Sequence, residues 1–230
     1  MCNKECWLKD NCKQLHCNDK NGCLILYKLN YLYDEAGVSV KNRARRNLYT
    51  DADNTDVEEF KRLKGIQDNI LDFVNSGKQL YIHSQQAGNG KTSWSLRLLQ
   101  CYFNKIWLNT PLKCRGLFIH VPSFLSALKD DLTVHSDKMK ELKNNICNCD
   151  LVIWDDIATK SSTVFEADTL LGILDTRINL GKANIFTSNL NDSEMHEALG
   201  DRLASRICNL SENIELHGGD KRNLAREENK

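Results

Sequence analysis

Proline is nearly missing from this chain: two prolines in 230 residues, alongside twelve glycines. A chain this poor in both is neither collagen-like nor a Pro/Gly-rich linker. No charge excess exists either, since 31 Lys and Arg balance 31 Asp and Glu. A global field steering the protein onto nucleic acid is therefore excluded, which leaves only local basic patches. Long hydrophobic runs are also missing. The longest, at 80–82, 117–119 and 151–154, fall far short of the ~20 residues of a membrane-spanning helix. The amino-terminal MCNKECWLKD lacks the apolar stretch behind a basic start that a secretory signal needs. These absences predict a soluble, cytoplasmic protein without a membrane partner.

What is present is enough apolar material for a core, 41% of residues, which excludes wholesale disorder. At ~150 residues per domain, one sizeable domain plus an appendage is expected.

The ten cysteines fall unevenly. Cys2, Cys6, Cys12, Cys17 and Cys23 crowd the amino terminus in a C-x3-C-x5-C-x4-C-x5-C pattern, with His16 among them. Cys101, Cys114, Cys147, Cys149 and Cys208 are scattered. In a reducing compartment a dense thiol cluster holds a metal more often than disulfides. The tight C-x2-C knuckle is lacking, so spacing alone leaves both zinc ligation and free thiols open. A segment of ~50 residues needs some staple, and the expected Zn²⁺ ligands are Cys6, Cys12, Cys17 and Cys23. Residues 1–50 carry nine Lys or Arg against five Asp or Glu. The stretch 38–55, with Lys41, Arg43, Arg45 and Arg46, reads as a linker with a basic patch. Two domains follow: a Cys-rich module and linker over 1–50, and a larger domain over 51–230.

Beyond residue 55 the pattern alternates. Helical periodicity is expected over 24–35, 56–76, 92–108, 122–132, 137–147, 166–180 and 192–208. Short apolar strands are expected over 79–84, 116–121, 150–155, 183–188 and 213–216. Strands alternating with helices predict an α/β fold with a mainly parallel sheet covered on both faces.

The first strand runs into Gln85-Gln86-Ala87-Gly88-Asn89-Gly90-Lys91-Thr92, then Ser93. This is a phosphate loop in its proper strand–loop–helix setting, except that Gln85 replaces the first glycine. Backbone N–H groups over Gln86–Ser93 would converge on phosphate oxygens at a helix start. Lys91 would reach the β- and γ-phosphates of ATP, and the Thr92 hydroxyl would ligate Mg²⁺. Four apolar residues, 151–154, end in Asp155 and Asp156, at the sheet edge where such folds bind ligands. Asp155 would hold Mg²⁺, and Asp156 would orient or deprotonate the attacking water.

These elements, together with Ile185-Phe186-Thr187-Ser188-Asn189 and the segment RLASRI at 202–207, resemble AAA+ ATPases of the DnaC/DnaI helicase-loader group, most closely those of phages and mobile elements of Gram-positive bacteria. The resemblance covers residues 55–224 and implies a three-layer P-loop sandwich. It implies Asn189 as the sensor residue and Arg206 as the finger acting on a neighbouring subunit's nucleotide, with Arg202 the second choice. It also implies Arg222 in a terminal arginine slot, within LHGGDKR. On the residues alone, Asn189 could instead cap a helix, Arg202 and Arg206 could pair with Asp201 or Glu197, and Arg222 could be solvated. The implied partners are a hexameric replicative DNA helicase, single-stranded DNA near 121–143, and further copies of the chain. The amino-terminal module would grip the helicase through Tyr27, Tyr31 and Tyr33. A nucleotide kinase is disfavoured because no Arg-rich lid follows the fourth strand. A non-hydrolysing adaptor and a transposition-helper ATPase remain as alternatives.

Overall fold

The computed structural model describes residues 6–8, 23–44, 48, 55–158 and 163–221. Five strands form one sheet: β1 (Gln79–His83), β2 (Gly116–His120), β3 (Leu151–Asp155), β4 (Ala183–Ser188) and β5 (Glu212–Glu215). Their order is β2-β3-β4-β1-β5, with every pairing parallel. Each strand lies within one residue of its expected bounds. The nine helices are α1 (Leu24–Glu35), α2 (Val57–Asp68), α3 (Ile70–Asn75), α4 (Lys91–Ile106), α5 (Val121–Asp131), α6 (Asp137–Asn148), α7 (Val164–Asn179), α8 (Asp192–Leu199) and α9 (Asp201–Cys208), counted among the described residues.

Alternation along the strands divides the core into two. Leu80, Ile82, Leu151, Ile153, Ile185 and Ile214 face α1–α4. Tyr81, Val152, Trp154 and Phe186 face α5–α9. The central strands are buried on both faces, which is why they read as unbroken apolar runs.

Two expected helices are each broken in two. The helix expected over 56–76 leaves helical geometry at Asn69 (φ −108°, ψ 30°). The Asn69 amide donates back to the Gly65 carbonyl at 3.0 Å, the competition with the helix ladder that Asn side chains offer. The helix expected over 192–208 breaks at Gly200, where φ is 76°.

The boundary expected at residue 50 lies outside the described residues, as do Cys2, Cys12, Cys17, His16, Arg45 and Arg46. On its amino-terminal side α1 shares the α4 core. Leu29, Leu32 and Tyr33 are buried, and Tyr33 meets Phe103 edge-on at 5.2 Å. Trp7 packs edge-on against Tyr33 and donates to Asn30 Oδ1 at 2.9 Å. Tyr33, expected as a surface anchor, is therefore a core residue, whereas Tyr27 is exposed. Arg43, expected in a solvated patch, is buried. It donates to Asp34, to Asn30 Oδ1 at 2.8 Å and to the Val38 carbonyl at 3.1 Å. Cys23 caps α1, accepting from the Leu26 N–H at 3.4 Å. Among the described residues no group of three or more His, Cys, Asp or Glu is placed to hold a metal ion, and no helix is long and apolar enough to cross a membrane.

Both sheet edges are occupied. The Phe118 N–H of edge strand β2 donates to the Ala36 carbonyl at 2.9 Å. At the other edge, Arg62 of α2 donates to the Asn213 carbonyl and to Glu212, each at 2.9 Å.

Candidate nucleotide-binding site

The carboxyl ends of β1, β3 and β4 converge at one place. β1 leads into the loop 84–90, and α4 starts immediately after it. Gly88 (φ 80°) and Gly90 (φ 110°) hold left-handed backbone that a side chain would strain. Gly90 is the N-cap of α4, and no side chain caps that helix. Its first-turn N–H groups and positive dipole end are thus presented toward the loop, the arrangement that receives anions. Lys91 is buried and folds back over the loop, donating to the Gln86 carbonyl at 2.8 Å and to the Ser84 carbonyl and Asn89 Oδ1 at 3.3 Å each. Asn89 is also buried. Its amide bonds Ser84 Oγ and the Leu216 carbonyl, tying the loop to the strand entering from the far edge. Gln85, Gln86 and Ala87 are exposed, and Ser93 is partly so.

Asp155 ends β3 with only 5% of its surface exposed. Its Oδ1 accepts from the Thr92 and Thr187 hydroxyls, both at 2.8 Å. Burial raises its pKa; the two hydroxyls lower it, and neighbouring Asp156 raises it again. A buried carboxylate held by hydroxyls alone fits a site that gains a cation, and Thr92 with Asp155 are the donors suited to Mg²⁺. Asp156 follows in left-handed geometry (φ 53°). Its N–H bonds the Thr187 hydroxyl at 3.1 Å. Its carboxylate lies 3.7 Å from His120 Nε2, while His120 Nδ1 sits 2.8 Å from Ser123 Oγ.

The fold brings Lys91, Thr92, Asp155 and Asp156 together. Asn189, at the end of β4, is exposed and caps nothing; Asn191 caps α8. Arg206 lies on the polar side of α9, paired with Asp175 of α7 and donating to the Arg202 carbonyl at 3.0 Å. Neither Asp201 nor Glu197 is its partner; Asp201 pairs with His196 at 2.8 Å. Arg202 is exposed. Arg222 lies outside the described residues.

Sequence reasoning missed three participants. Thr187 links both acidic residues, yet a threonine inside a strand carries no motif of its own. His120 ends β2, and only the β2–β3 pairing puts it beside Asp156. Asp56, fully buried, accepts from the His217 N–H at 2.7 Å, the Gly218 N–H at 3.0 Å and Lys221 Nζ at 3.3 Å. It thereby holds 217–221 beside the loop, where the Lys221 N–H bonds the Gly88 carbonyl at 3.0 Å. An Asp before a helical run reads as a cap, and this one instead reaches a segment 161 residues away.

Known proteins resemble this chain in sequence and fold. The chain is 29% identical over 154 residues to the replicative helicase loader DnaC of Escherichia coli strain K12, a stretch covering 66% of this chain and 53% of that protein. The chain thus spans about half the length of the curated relatives it matches. The crystal structure of DnaI superposes with a TM-score of 0.62 at 22% identity, covering 80% of this chain and 94% of that one. AMPPCP-bound DnaA from Aquifex aeolicus gives a TM-score of 0.53 at 21% identity, over 76% and 51% of the two chains. These two likenesses establish the α/β fold. The bacterial DnaA ATPase domain matches residues 56–210, a span that holds the phosphate loop, both acidic residues and the α8–α9 pair, and the chain belongs to that family.

Proposed function

We propose that the protein is an ATP-dependent loader that binds a hexameric replicative DNA helicase and places it on single-stranded DNA, in phage or mobile-element replication. The observation that carries this reading is the meeting of Lys91, Thr92, Asp155 and Asp156 at one sheet edge, in a chain that is similar to DnaC over 154 residues. The backbone from Gln86 to Ser93 cradles the phosphates, and Lys91 leaves the loop carbonyls for phosphate oxygens. Thr92 and Asp155 hold Mg²⁺, which supplies charge neutralisation on the phosphates. Asp156 orients the attacking water, with Asn189 as its polar partner from β4. Arg206, or Arg202 one turn earlier, acts on the nucleotide of a neighbouring copy. Arg222, next in sequence after the segment 217–221 that Asp56 anchors, is assigned to the same nucleotide on the strength of the sequence resemblance.

The thiols Cys6, Cys12, Cys17 and Cys23 are assigned to zinc on sequence grounds, and the segment around them to helicase recognition. Tyr27, exposed on α1, suits that surface.

The test is affinity capture from host extract, with and without ATP, paired with fluorescent-nucleotide titration. Wild-type protein should recover a replicative helicase, and Lys91→Ala should bind no nucleotide while keeping its melting profile. Recovery of a transposase instead, or undiminished nucleotide binding by Lys91→Ala, would overturn the reading.

A further inference from the structure

Arg177 of α7 is wholly buried. Its guanidinium donates to Asn184 Oδ1 and the Ala183 carbonyl, both at 2.6 Å, to the Cys149 carbonyl at 3.1 Å, and to the Ile146 carbonyl. Among the described residues no carboxylate pairs with it. A buried cation without an anionic partner is costly. The ionisable atom in reach is Cys149 Sγ, 3.8 Å from Nη1.

A second thiol stands beside the first. Gly116 lies opposite Leu151 in the β2–β3 ladder. The Asp150 and Leu151 N–H groups both reach the Arg115 carbonyl, at 3.0 and 3.3 Å, so the ladder continues backwards. Two residues back on each strand, and on the same face, Cys114 lies opposite Cys149. Adjacent strands run ~4.8 Å apart, inside the ~4.4–6.8 Å Cα separation that a disulfide bridges. Both side chains pack into the core on the α5–α9 side of the sheet, close enough for each thiol to shift the titration of the other. Cys149 is buried and Cys114 half-buried, so the pair has one side toward solvent, at Cys114.

The surrounding groups pull the two thiols apart. Burial raises Cys149, but the neighbouring Cys114 thiol and the Arg177 charge bring it below the ordinary thiol value against the nearby Asp150. The neighbouring Cys149, burial and the Glu35 carboxylate all raise Cys114. The Leu151 carbonyl, 3.5 Å from Cys149 Sγ, and the Gly116 carbonyl, 3.7 Å from Cys114 Sγ, accept whichever S–H is present.

We propose that Cys114 and Cys149 form an oxidisable dithiol, a modification site that closes to a cross-strand disulfide when the chain meets a peroxide. The Cys149 thiolate attacks one peroxide oxygen, the O–O bond breaks, and hydroxide departs, leaving a sulfenic acid on Cys149. Cys114 sulfur then attacks Cys149 sulfur, the S–O bond breaks, and the departing hydroxide takes the Cys114 proton as water. Two electrons leave the sulfurs and reduce one peroxide, so the step balances with hydrogen peroxide as the sole oxidant. Neither thiol belongs to the phosphate site or to the amino-terminal cluster.

The test is peptide mapping of the intact chain after limiting hydrogen peroxide near pH 6.5, where ordinary thiols are about 99% protonated. Trypsin cuts after Lys113, Arg115, Lys143 and Lys160. The expected product is the dipeptide 114–115 joined to peptide 144–160, with two hydrogens lost. Fragmentation should place the bond at Cys149, and Cys147→Ser should leave it in place. In step with it, Cys114 and Cys149 should both escape alkylation, while Cys101 stays labelled. Dithiothreitol should restore both thiols. Two results would overturn the proposal: both residues still alkylated once Cys101 has begun to oxidise, or a bond mapped to Cys147.

Discussion

Strand β3 is bracketed by two carboxylates with opposite fates. Asp150, just before it, is shielded and has its pKa lowered; Asp155, at its end, is buried and has its pKa raised. Burial pushes both upward. At Asp150 the Tyr102 hydroxyl (2.9 Å), Arg115 (2.5 Å) and Lys182 (3.3 Å) more than offset that push. At Asp155 two hydroxyls and the more distant His120 answer it and fall short, while Asp156 adds to the push. The same residue type is thus structural at one end of a strand and incomplete at the other. The difference teaches where to look for function: at the end where charge is buried without a counter-charge, which a bound cation would supply.

The largest effect that would break this comparison is at the completed end. Asp150→Asn leaves Arg115 and Lys182 facing each other without an anion, and should cost about 2 kcal/mol at neutral pH, read from urea unfolding. An unchanged midpoint would mean that the amino-terminal end of the sheet is no tighter than the other.

A pH series sharpens the contrast by sign. Asp150 has a depressed folded pKa, so its stabilisation is present above the unfolded value of about 3.9 and is lost as pH falls through the folded value. Asp155 has a raised folded pKa, so its contribution is present below about 3.9 and lost as pH rises through the folded value. Subtracting the Asp150→Asn curve from wild type should give a gap that closes in acid. The corresponding gap for Asp155→Asn should be of opposite sign and widen toward neutral pH.

The smallest effect is Asp155→Asn itself. In the absence of nucleotide it should gain about 1 kcal/mol or less, because a buried charge is removed and both hydroxyls keep an acceptor. Magnesium-dependent nucleotide binding, followed by isothermal titration, should be lost in the same variant. Stability gained and ligation lost together would mark the residue as held for a ligand.

Much of this was legible beforehand because it is local. Four consecutive apolar residues before two aspartates fixed β3 and its acidic end, and the glycines before Lys91 fixed the loop and the start of α4. What escaped is non-local. Asp56 meets the terminal segment only after the sheet closes, and His120 meets Asp156 only through the β2–β3 pairing. Arg43 carries the same charge as the exposed lysine two residues before it. Nothing in composition tells a buried guanidinium bonded to Asn30 and the Val38 carbonyl from a solvated one. The breaks at Asn69 and Gly200 leave little trace in the sequence pattern, because helical periodicity continues across both.

The capped sheet edges restrict how any second strand could join this sheet. An open edge strand is a template for another strand, and uncontrolled growth begins there. Here the turn after α1 places the Ala36 carbonyl on Phe118 of β2, and Arg62 covers the Asn213 carbonyl of β5. With a backbone partner at one rim and a guanidinium at the other, strand-to-strand polymerisation is discouraged at both. Any contact with another protein surface is thereby left to the helical faces, where geometry can be specified side chain by side chain.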